Sequence, residues 1–468
     1  MVSFLSIDII IIGAFFFLLV ITGLLAGKKT TTGSDDYLLS GRKVGLTLFI
    51  LTNVATWYGG ILGVGEFTYR YGLVSWFTQG FPYYIFALLF AVFFARKIRT
   101  ASLFTIPDKI EQTYGSKAAL LTAVLIFILV SPAPYLLMTG SLISLVFDIG
   151  LFPSLLIGAF LSTVYLFKGG YKSNIYADAF SFFVMFAGFI LALIIAWSDY
   201  GGLSYLESKV PPSHLELTGN VSPAFIIVWF LIALWTFTDP GFHQRCYSAK
   251  TGRTALWGII ISVFFWFIFD FLTTSLGLYA RAALGTVDNP VLAFPLLAEI
   301  ILAPGLKGIF YAALFATILS TLNSFMFLSA TTFGRDFASK LKTNLNDLQL
   351  SRYTRTGLFI TSVISILLAY CFESVVEIWY TIGSICIPGI ILLIVSAYYS
   401  KLKVGETTAI IEVIAATSAS AIWLVIRSSM NEANELYVIE PMIAGMITAI
   451  IVHLSGTIHA RKFPEVKE

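Results

Sequence analysis

Long apolar segments alternate with short polar gaps along the whole chain. Each apolar segment is long enough for the roughly 20 residues with which an α-helix crosses a bilayer. The pattern therefore predicts an all-α integral membrane protein with 13 transmembrane helices. The segments, numbered 1 to 13 in chain order, begin near Ile9, Val44, Leu73, Ala118, Leu151, Ile175, Pro223, Ala255, Gly308, Thr356, Ile378, Thr407 and Leu436.

The basic residues occur almost entirely in every second gap between these segments. Of the 29 Lys and Arg residues, 24 follow segments 1, 3, 5, 7, 9, 11 and 13. Since cytoplasmic loops carry the excess of Lys and Arg, these gaps and the C-terminus are predicted to be cytoplasmic. An odd number of spans then places the N-terminus outside the cell (plasma or inner) membrane. The other five basic residues are Arg70, Lys209, Arg281, Lys307 and Arg427.

The composition agrees with a chain that lies mostly within a bilayer. Hydrophobic residues make up 58% of the 468 positions and charged residues 12%, which is not typical of a water-soluble globule. The net charge of +3 therefore reflects membrane topology, and we expect no nucleic-acid partner. Asp8 precedes the first apolar run and Lys28 and Lys29 follow it, the reverse of a signal peptide, so segment 1 is predicted to be a retained anchor.

Several functional classes lack their sequence signatures. The chain has no phosphate-binding loop, no His-Glu-x-x-His and no Thr-Val-Gly-Tyr-Gly filter, which argues against an ATP-driven pump, a zinc protease and a potassium channel. Its Cys and His residues are scattered without metal-ligand spacing. The gaps are too short for a separate folded domain. These observations favour a secondary transporter, not an enzyme, with its site inside the membrane.

Two apolar segments contain interruptions. Segment 2 places hydroxyls, an amide and a Gly pair at its centre, from Thr52 to Gly60, and segment 7 has Asp239-Pro240-Gly241 towards its cytoplasmic side. The two segments lie five apart, so they cross the membrane in opposite directions. An inverted five-plus-five repeat requires this arrangement, with segments 2 to 6 and 7 to 11 as its halves. Chance is the alternative, since Gly and Pro are common in membrane helices.

Segment 9 carries a stripe of hydroxyl side chains through its centre. Thr317, Ser320, Thr321 and Ser324 share one face because of their i, i+3, i+4 and i+7 spacing. Hard cations such as sodium take oxygen ligands, which hydroxyls and the freed carbonyls of an interrupted helix would supply. The alternative is structural, because Ser and Thr in membrane helices often pack closely or bond the carbonyl at i−4.

Two carboxylates lie inside the predicted spans. Asp178 is at the cytoplasmic end of segment 6 and Asp270 is near the middle of segment 8, while no Lys or Arg is expected in the interior of any span. A charged carboxylate at the bilayer centre costs about 2.5 to 3.5 kcal/mol, so we expect a proton or an imported cation to match it. For Asp270, a permanently protonated carboxyl bonded to a nearby carbonyl or to Thr274 is the alternative.

Four sequence features resemble the sodium:solute symporter family, which includes bacterial proline, sialic acid and galactose carriers. They occur in the family's order between Asp36 and segment 11, and they imply sodium as the coupling ion and the five-plus-five architecture of leucine-type transporters. The features are Asp36-Tyr37-Leu38-Leu39-Ser40-Gly41-Arg42; Gly169-Gly170 followed by Ala177-Asp178; Asp239-Pro240 to Gln244-Arg245; and Ala316-Thr317-Ile318-Leu319-Ser320-Thr321, which is similar to the family's Ala-Ala-Ile-Met-Ser-Thr.

The resemblance implies a sodium site between segments 2 and 9. Its ligands would be the carbonyl oxygens of Leu51, Val54 and Thr317 together with the hydroxyls of Ser320 and Thr321. Thr317 replaces the family's usual Ala, which matters little if only its carbonyl oxygen binds. Sodium at this junction would favour the outward-open state and complete the solute pocket.

Some members of the family have a second sodium site, which here would involve Asp178 with Ser320, Asn323 and Ser324. Asn323 stands where those members have Ser. One sodium ion or two therefore remain as alternatives. Ser324 lies one turn nearer the cytoplasm than Ser320, on the same side as Asp178, so the geometry permits a path for two ions.

The solute pocket is predicted beside the first sodium site. An aromatic lining with few amides and hydroxyls suits a small polar organic molecule. Aromatic residues make up 16% of the chain, so core packing or lipid contact is the alternative for any single one. The residues do not identify the solute. The predicted lining is Trp57, Tyr58, Gln79, Trp235, Thr238, Asp270 and Trp379.

The predicted organisation has two repeats and peripheral elements. Residues 1–42 form a peripheral helix and cytoplasmic loop, 43–198 and 222–400 the two repeats, and 401–468 two peripheral helices and a tail. A small-molecule solute and the lipid bilayer are the expected partners, with no obligate protein partner. An uncoupled or proton-coupled transporter of the same fold and a transporter-like sensor with a separate partner are the alternatives.

Overall fold

The computed structural model describes residues 2–28, 30, 33–338, 345–371, 375–431 and 435–462. Within these residues the regular structure is helical, and the β-type pairing is an isolated bridge between Val44 and Ala249. The all-α prediction therefore holds for the part of the chain that is described. Four of the basic residues counted as cytoplasmic lie outside the described residues: Lys29, Lys340, Lys342 and Lys467.

The main helices correspond to the predicted segments and are labelled α1 to α13 after them. Shorter helices, such as Ser34–Leu39, Leu203–Lys209 and Ala293–Ile301, lie in the gaps. The main helices are Ser6–Gly27 (α1), Leu46–Tyr58 with Ile61–Tyr71 (α2), Trp76–Ala101 (α3), Ile106–Phe147 (α4), Leu151–Thr163 (α5), Leu166–Tyr200 (α6), Pro223–Ser248 (α7), Gly252–Leu284 (α8), Leu306–Ala338 (α9), Asp347–Cys371 (α10), Trp379–Ala397 (α11), Glu406–Ser428 (α12) and Pro441–His459 (α13).

Judged by length and apolar character, fewer helices qualify as spans than the 13 predicted. Among the described residues, 11 helices are long and apolar enough to cross a membrane, or 12 when the bent pair of α2 is one span. Helix α5 has 13 residues, fewer than the roughly 20 that a full span needs. The multi-pass helical architecture is therefore observed, whereas the count of 13 stays a prediction.

Several helices begin earlier than their apolar runs. Helix α4 begins at Ile106 rather than near Ala118, because Thr105 accepts a hydrogen bond from the backbone N–H of Asp108 (3.2 Å) and Pro107 occupies the first turn. Capping thus sets the start of the helix, and the apolar run marks only the part expected in the hydrocarbon.

Both predicted interruptions occur in the structure. The two parts of α2 meet at an angle of 57° across Gly59 and Gly60. In α7 the backbone of Asp239 is extended (φ −69°, ψ 113°), and the Asp239 side chain accepts from the N–H of Gly241 (2.6 Å), which caps the following helix. Pro240 comes directly after the break, where its missing N–H costs nothing.

The segments named by the family resemblance pack against one another. Gly170 has a φ of 53°, and a Cβ there would lie 2.3 Å from the carbonyl oxygen of Tyr37, so only glycine fits. The Tyr37 hydroxyl donates to the carbonyl oxygen of Leu166 (3.0 Å), and the Gln244 amide donates to that of Leu38 (3.5 Å). Three stretches that are far apart in sequence therefore form one contact region.

The gaps richest in basic residues meet at one end of the molecule. Arg42, which precedes α2, donates to the carbonyl oxygen of Leu103, which precedes α4 (3.0 Å). Ser34 donates to the carboxylate of Asp347, at the start of α10 (2.8 Å). These contacts join gaps that follow segments 1, 3 and 9.

Three of the gaps with few basic residues also contact one another. The ring of His214, before α7, contacts the carbonyl oxygen of Tyr69, at the end of α2 (3.1 Å), and Arg281 donates to the Tyr69 hydroxyl (3.1 Å). Lys307, before α9, donates to the carbonyl oxygen of Ser3. These contacts join the gaps that follow segments 2, 6 and 8, and they place the N-terminal residues beside the last of these gaps.

Helix α9 forms the centre of the bundle. Of its most apolar stretch 94% is buried, against 22% for α1 and 28% for α12. A helix so enclosed contacts protein on all sides, so its central hydroxyl groups face other helices. The side chains of segment 9 therefore lie where a site enclosed by protein can form.

The buried carboxylate of Asp8 joins α1 to the start of α9. One oxygen accepts from the N–H groups of Gly305 (2.8 Å) and Gly308 (2.9 Å), and the other from the N–H of Leu5 (3.0 Å).

Asp8→Ala is expected to lower the stability of the protein by about 1–3 kcal/mol, because buried N–H groups lose their acceptor. Thermal unfolding in detergent measures this. The exposed Glu207 provides the control Glu207→Ala, and an unchanged unfolding temperature in Asp8→Ala would contradict the expectation.

Candidate functional site

The hydroxyl stripe of α9 meets the interrupted helix α2. Ser320 donates to the carbonyl oxygen of Ala55 (2.7 Å) and lies 3.1 Å from that of Thr317. Thr321 donates to the carbonyl oxygen of Thr56 (2.7 Å). The α-helical part of α2 ends at Ala55, and the last carbonyls of a helix have no helical partner. The two hydroxyls therefore satisfy the carbonyls that the interruption exposes.

The two hydroxyls bond to carbonyl oxygens other than those that the resemblance names. The resemblance implied Leu51 and Val54, whereas the structure brings Ala55 and Thr56 to the hydroxyls. The local register of a bent helix depends on where the bend lies, which a motif match does not resolve. The hydroxyls of Ser320 and Thr321 and the carbonyl of Thr317 do lie together as predicted.

A glycine allows this close approach of α2 and α9. A Cβ on Gly59 would lie 2.3 Å from the Cβ of Thr321 and 2.4 Å from its hydroxyl oxygen. No side chain fits at that separation, so Gly59 is required by packing. The Gly pair predicted as a helix interruption therefore also sets the distance between the two helices.

A second polar cluster surrounds Asp178 in α6. One carboxylate oxygen, Oδ2, accepts from the hydroxyl of Thr52 (2.6 Å) and lies 3.3 Å from the hydroxyl of Thr56. The amide of Asn174, one turn earlier in α6, donates to Ser324 (2.7 Å) and lies 3.3 Å from the same carboxylate oxygen. Asp178 and Ser324 are therefore brought together as predicted, through Asn174.

Three buried acceptor oxygens in this region have no hydrogen-bond donor among the described residues. They are Oδ1 of Asp178, Oδ1 of Asn174 and Oδ1 of Asn323. Buried acceptors are rarely left unpaired, and carboxylate and amide oxygens are ligands for hard cations. The Asn323 amide donates to the hydroxyl of Tyr165 rather than to Asp178, so Asn323 takes part through a different neighbour from the one predicted.

A buried arginine borders the Asp178 cluster. Arg245 of α7 is 4% exposed, and it donates to the hydroxyl of Thr56 (2.6 Å) and to the carbonyl oxygen of Gly241 (3.1 Å). The sequence placed Arg245 in a cytoplasmic gap, whereas the structure buries its side chain among the helices. Arg245 is three residues from the end of α7, and the sequence does not show that its side chain turns inward.

A cavity of about 200 Å³ lies beside the hydroxyl and carbonyl junction. Its walls come from α2, α3, α4, α7, α8, α9 and α11. Thr238 does not line it, contrary to the prediction, because its hydroxyl turns back to the carbonyl oxygen of Trp235 (3.0 Å). The predicted residues that do line it are Trp57, Tyr58, Gln79, Trp235, Asp270 and Trp379.

The cavity wall is more aromatic than predicted. Of its 24 lining residues 11 are aromatic, against 16% in the whole chain, so aromatic side chains are concentrated there. The lining also contains two carboxylates, Asp239 and Asp270, and none of the described residues that form it is Lys, Arg or His. The aromatic residues that sequence reasoning missed are Phe67, Trp76, Tyr83, Tyr135, Trp229, Phe325 and Tyr380.

The carboxylate of Asp270 is held by a chain of aromatic donors. Tyr84 donates to Oδ2 of Asp270, and the indole N–H of Trp76 donates to the Tyr84 hydroxyl (3.2 Å). The Tyr58 hydroxyl also neighbours Asp270, and it donates to the carbonyl oxygen of Trp266 (2.8 Å). The partner of Asp270 is thus Tyr84 and not Thr274, which was the structural alternative.

The candidate ion site and the cavity share two residues. Thr56 and Thr321, whose carbonyl and hydroxyl bond to each other, both line the cavity. A ligand in the cavity therefore contacts the same residues that would hold an ion. Such shared residues provide a direct physical link between the two sites.

Comparisons with known proteins agree on the kind of protein. The model of the sodium:solute symporter family matches residues 37–416. Sodium/proline symporter 2 of Staphylococcus saprophyticus is 23% identical, over 89% of this chain and 86% of that protein. High-affinity choline transporter 1 of Drosophila melanogaster is 24% identical over 74% of this chain, and the match spans 58% of that relative's length.

A solved structure of a Na⁺-coupled sialic acid symporter, described as substrate-bound and outward-open, has the same fold. It superposes with a TM-score of 0.82 at 16% identity, and the match covers 98% of this chain and 99% of that one.

Proposed function

This chain belongs to the sodium:solute symporter family, and from that premise we propose that it is a sodium-coupled symporter that imports a small polar organic solute by alternating access. It is a multi-pass membrane transporter and not an enzyme. The observation that carries the proposal is that Thr56 and Thr321 belong to both the junction of α2 with α9 and the cavity wall.

The proposed sodium site is the junction itself. Its ligands are the hydroxyls of Ser320 and Thr321 with the carbonyl oxygens of Ala55, Thr56 and Thr317, which replace the set first expected. Without an ion the hydroxyl protons point at these carbonyls. A hydroxyl hydrogen rotates freely, so an arriving cation turns the protons away and meets oxygen lone pairs only. Binding then pulls α2 and α9 together and shapes the cavity wall.

A second ion is proposed at the Asp178 cluster. The unpaired oxygens of Asp178, Asn174 and Asn323 and the hydroxyl of Ser324 supply the donor set. Arg245, two hydrogen bonds away through Thr56, offsets part of the carboxylate charge and weakens this site. The membrane potential supplies about 2.3 kcal/mol per charge per 100 mV, roughly 50-fold in accumulation for each ion.

The proposed topology has 13 spans, with α2–α6 (43–198) and α7–α11 (222–400) as inverted repeats. The cavity is lined by α2, α3 and α4 and by their counterparts α7, α8 and α9, five helices on. Helix α4 starts at the basic end near Thr105, and α6 starts there beside Tyr37. The chain from the start of α4 to the start of α6 must therefore cross the membrane twice. Helix α4 is one of these crossings, and we propose α5 as the other. The basic end is proposed to be cytoplasmic, in the cell membrane, with the N-terminus outside.

Sodium titration of hydroxyl-deleted variants tests the proposal. Ser320→Ala and Thr321→Ala are each expected to raise the half-saturating sodium concentration about 5- to 150-fold, because each loses one oxygen ligand worth roughly 1–3 kcal/mol. Thermal stabilisation of the purified protein by sodium chloride, with potassium chloride as the reference salt, measures this without knowledge of the solute.

Ser262→Ala is the matched control, since it removes a buried hydroxyl of α8 that bonds only the carbonyl of Gly258 (2.7 Å). A wild-type protein that sodium does not stabilise, or Ser320 and Thr321 variants with the wild-type half-saturation, would refute the proposed site. Uptake driven by a proton gradient alone would instead favour a proton-coupled transporter.

A further inference from the structure

We infer that the cavity recognises a small organic cation, an ammonium compound of single positive charge, and that Asp270 is its counter-ion. This rests on the proposed function only in taking the cavity as the solute site. The printed solutes of the relatives differ in charge, so the inference is drawn from the lining of the cavity and not from them.

The aromatic wall favours a positive charge. An aromatic ring presents a negative face to a cation within about 6 Å of its centre, and Trp gives the strongest attraction. Five Trp residues line the cavity: Trp57, Trp76, Trp229, Trp235 and Trp379. The wall thus surrounds a small ligand with several aromatic rings, and an alkylated ammonium group interacts favourably with such rings without hydrogen bonds.

The charges in the wall favour a cation as well. Asp239 has a cation near it, since a Cβ on Gly241 would lie 2.8 Å from its carboxylate and 2.9 Å from the Arg245 guanidinium. None of the described residues that line the cavity places a cation beside Asp270. The hydrogen-bond partner of Asp270 is Tyr84. A buried carboxylate needs a proton or a matching charge, and an ammonium ligand supplies the charge.

Glycines hold these groups open to the cavity. A Cβ on Gly80 would lie 2.7 Å from Oδ2 of Asp270, and one on Gly60 would lie 2.5 Å from the ring of Trp379. Both glycines line the cavity. The carboxylate and the ring therefore have no side chain from these positions in front of them, and each reaches the ligand space directly.

The same lining disfavours other ligand classes. An anion, or the carboxylate of a zwitterion, would face two carboxylates with no Lys, Arg or His in the wall. A neutral sugar would stack on the rings but would leave Asp270 without a counter-charge. An organic cation meets both the aromatic faces and the carboxylate.

Binding of a charged probe and its neutral isostere tests the inference. The purified protein is titrated with choline and with 3,3-dimethylbutan-1-ol, which has carbon in place of the ammonium nitrogen, and thermal stabilisation is measured in sodium chloride. Choline is expected to stabilise the wild type at concentrations at least about ten-fold lower than the alcohol. In Asp270→Asn the preference is expected to disappear, and in Trp379→Leu to fall, while sodium still stabilises both variants.

The opposite results would overturn the inference. They are equal stabilisation by choline and the alcohol, an unchanged preference in Asp270→Asn, or stabilisation by proline or glucose with none from choline. Retained sodium stabilisation shows that Asp270→Asn is folded. A different result would contradict the proposed function: choline binds, but its uptake into vesicles does not require sodium.

Discussion

Replacing Gly59 with Ala is expected to abolish most sodium-dependent transport. The added methyl group would lie 2.3 Å from the Cβ of Thr321, so α2 and α9 must separate. Overpacking of this kind costs about 1–3 kcal/mol, which corresponds to roughly a 5- to 150-fold loss of the conformation that holds the ion. Sodium-induced thermal stabilisation and sodium-driven uptake in vesicles measure the loss.

A matched control makes this test specific. Gly45→Ala adds the same methyl group at the start of α2, where nothing lies within 4 Å, and it is expected to behave as wild type. Normal sodium stabilisation of Gly59→Ala would show that the junction tolerates a wider spacing and is not the ion site.

Arg245→Gln is expected to destabilise the protein by about 3–5 kcal/mol. The variant removes the buried guanidinium that bonds Thr56 and borders the Asp178 cluster, and it leaves the carboxylate charges there without a basic side chain. Unfolding in detergent, followed by circular dichroism, measures the change. The exposed Arg253 provides the control Arg253→Gln, for which we expect wild-type stability.

A double variant identifies the charge that Arg245 offsets. Asp178→Asn removes the carboxylate, so Arg245→Gln with Asp178→Asn is expected to recover part of the lost stability, with a coupling of about 0.5–3 kcal/mol. Additive losses in the double variant would mean that Arg245 acts on another group, such as Asp239. High sodium is also expected to stabilise Arg245→Gln more than wild type, because the ion then replaces the missing charge.

Thr56 connects these observations. Its hydroxyl accepts from Arg245, its carbonyl oxygen accepts from Thr321, and the residue lines the cavity. A change in ion occupancy at either proposed site therefore displaces a residue that the solute touches. The coupling between ion and solute requires no long pathway in this arrangement, since Thr56 borders both proposed ion sites and the cavity.

The sequence by itself determined the features that depend on local pattern. Apolar length and the distribution of Lys and Arg were enough for an all-α membrane protein with alternating gaps, because a bilayer imposes both. The Gly pair of α2 and the break at Asp239 were visible because glycine and proline act on their own backbone. The hydroxyls of Ser320 and Thr321 followed from helical spacing, and the family from motifs in order.

Only the tertiary structure decided which groups from different helices meet. The bend in α2 selects Ala55 and Thr56 as the carbonyls beneath α9, the inward turn of Arg245 gives the Asp178 cluster a basic neighbour, and seven aromatic residues join the cavity from six helices. These outcomes depend on the angle and rotation of each helix against the others. Side-chain packing between helices sets those angles, and no local pattern encodes them.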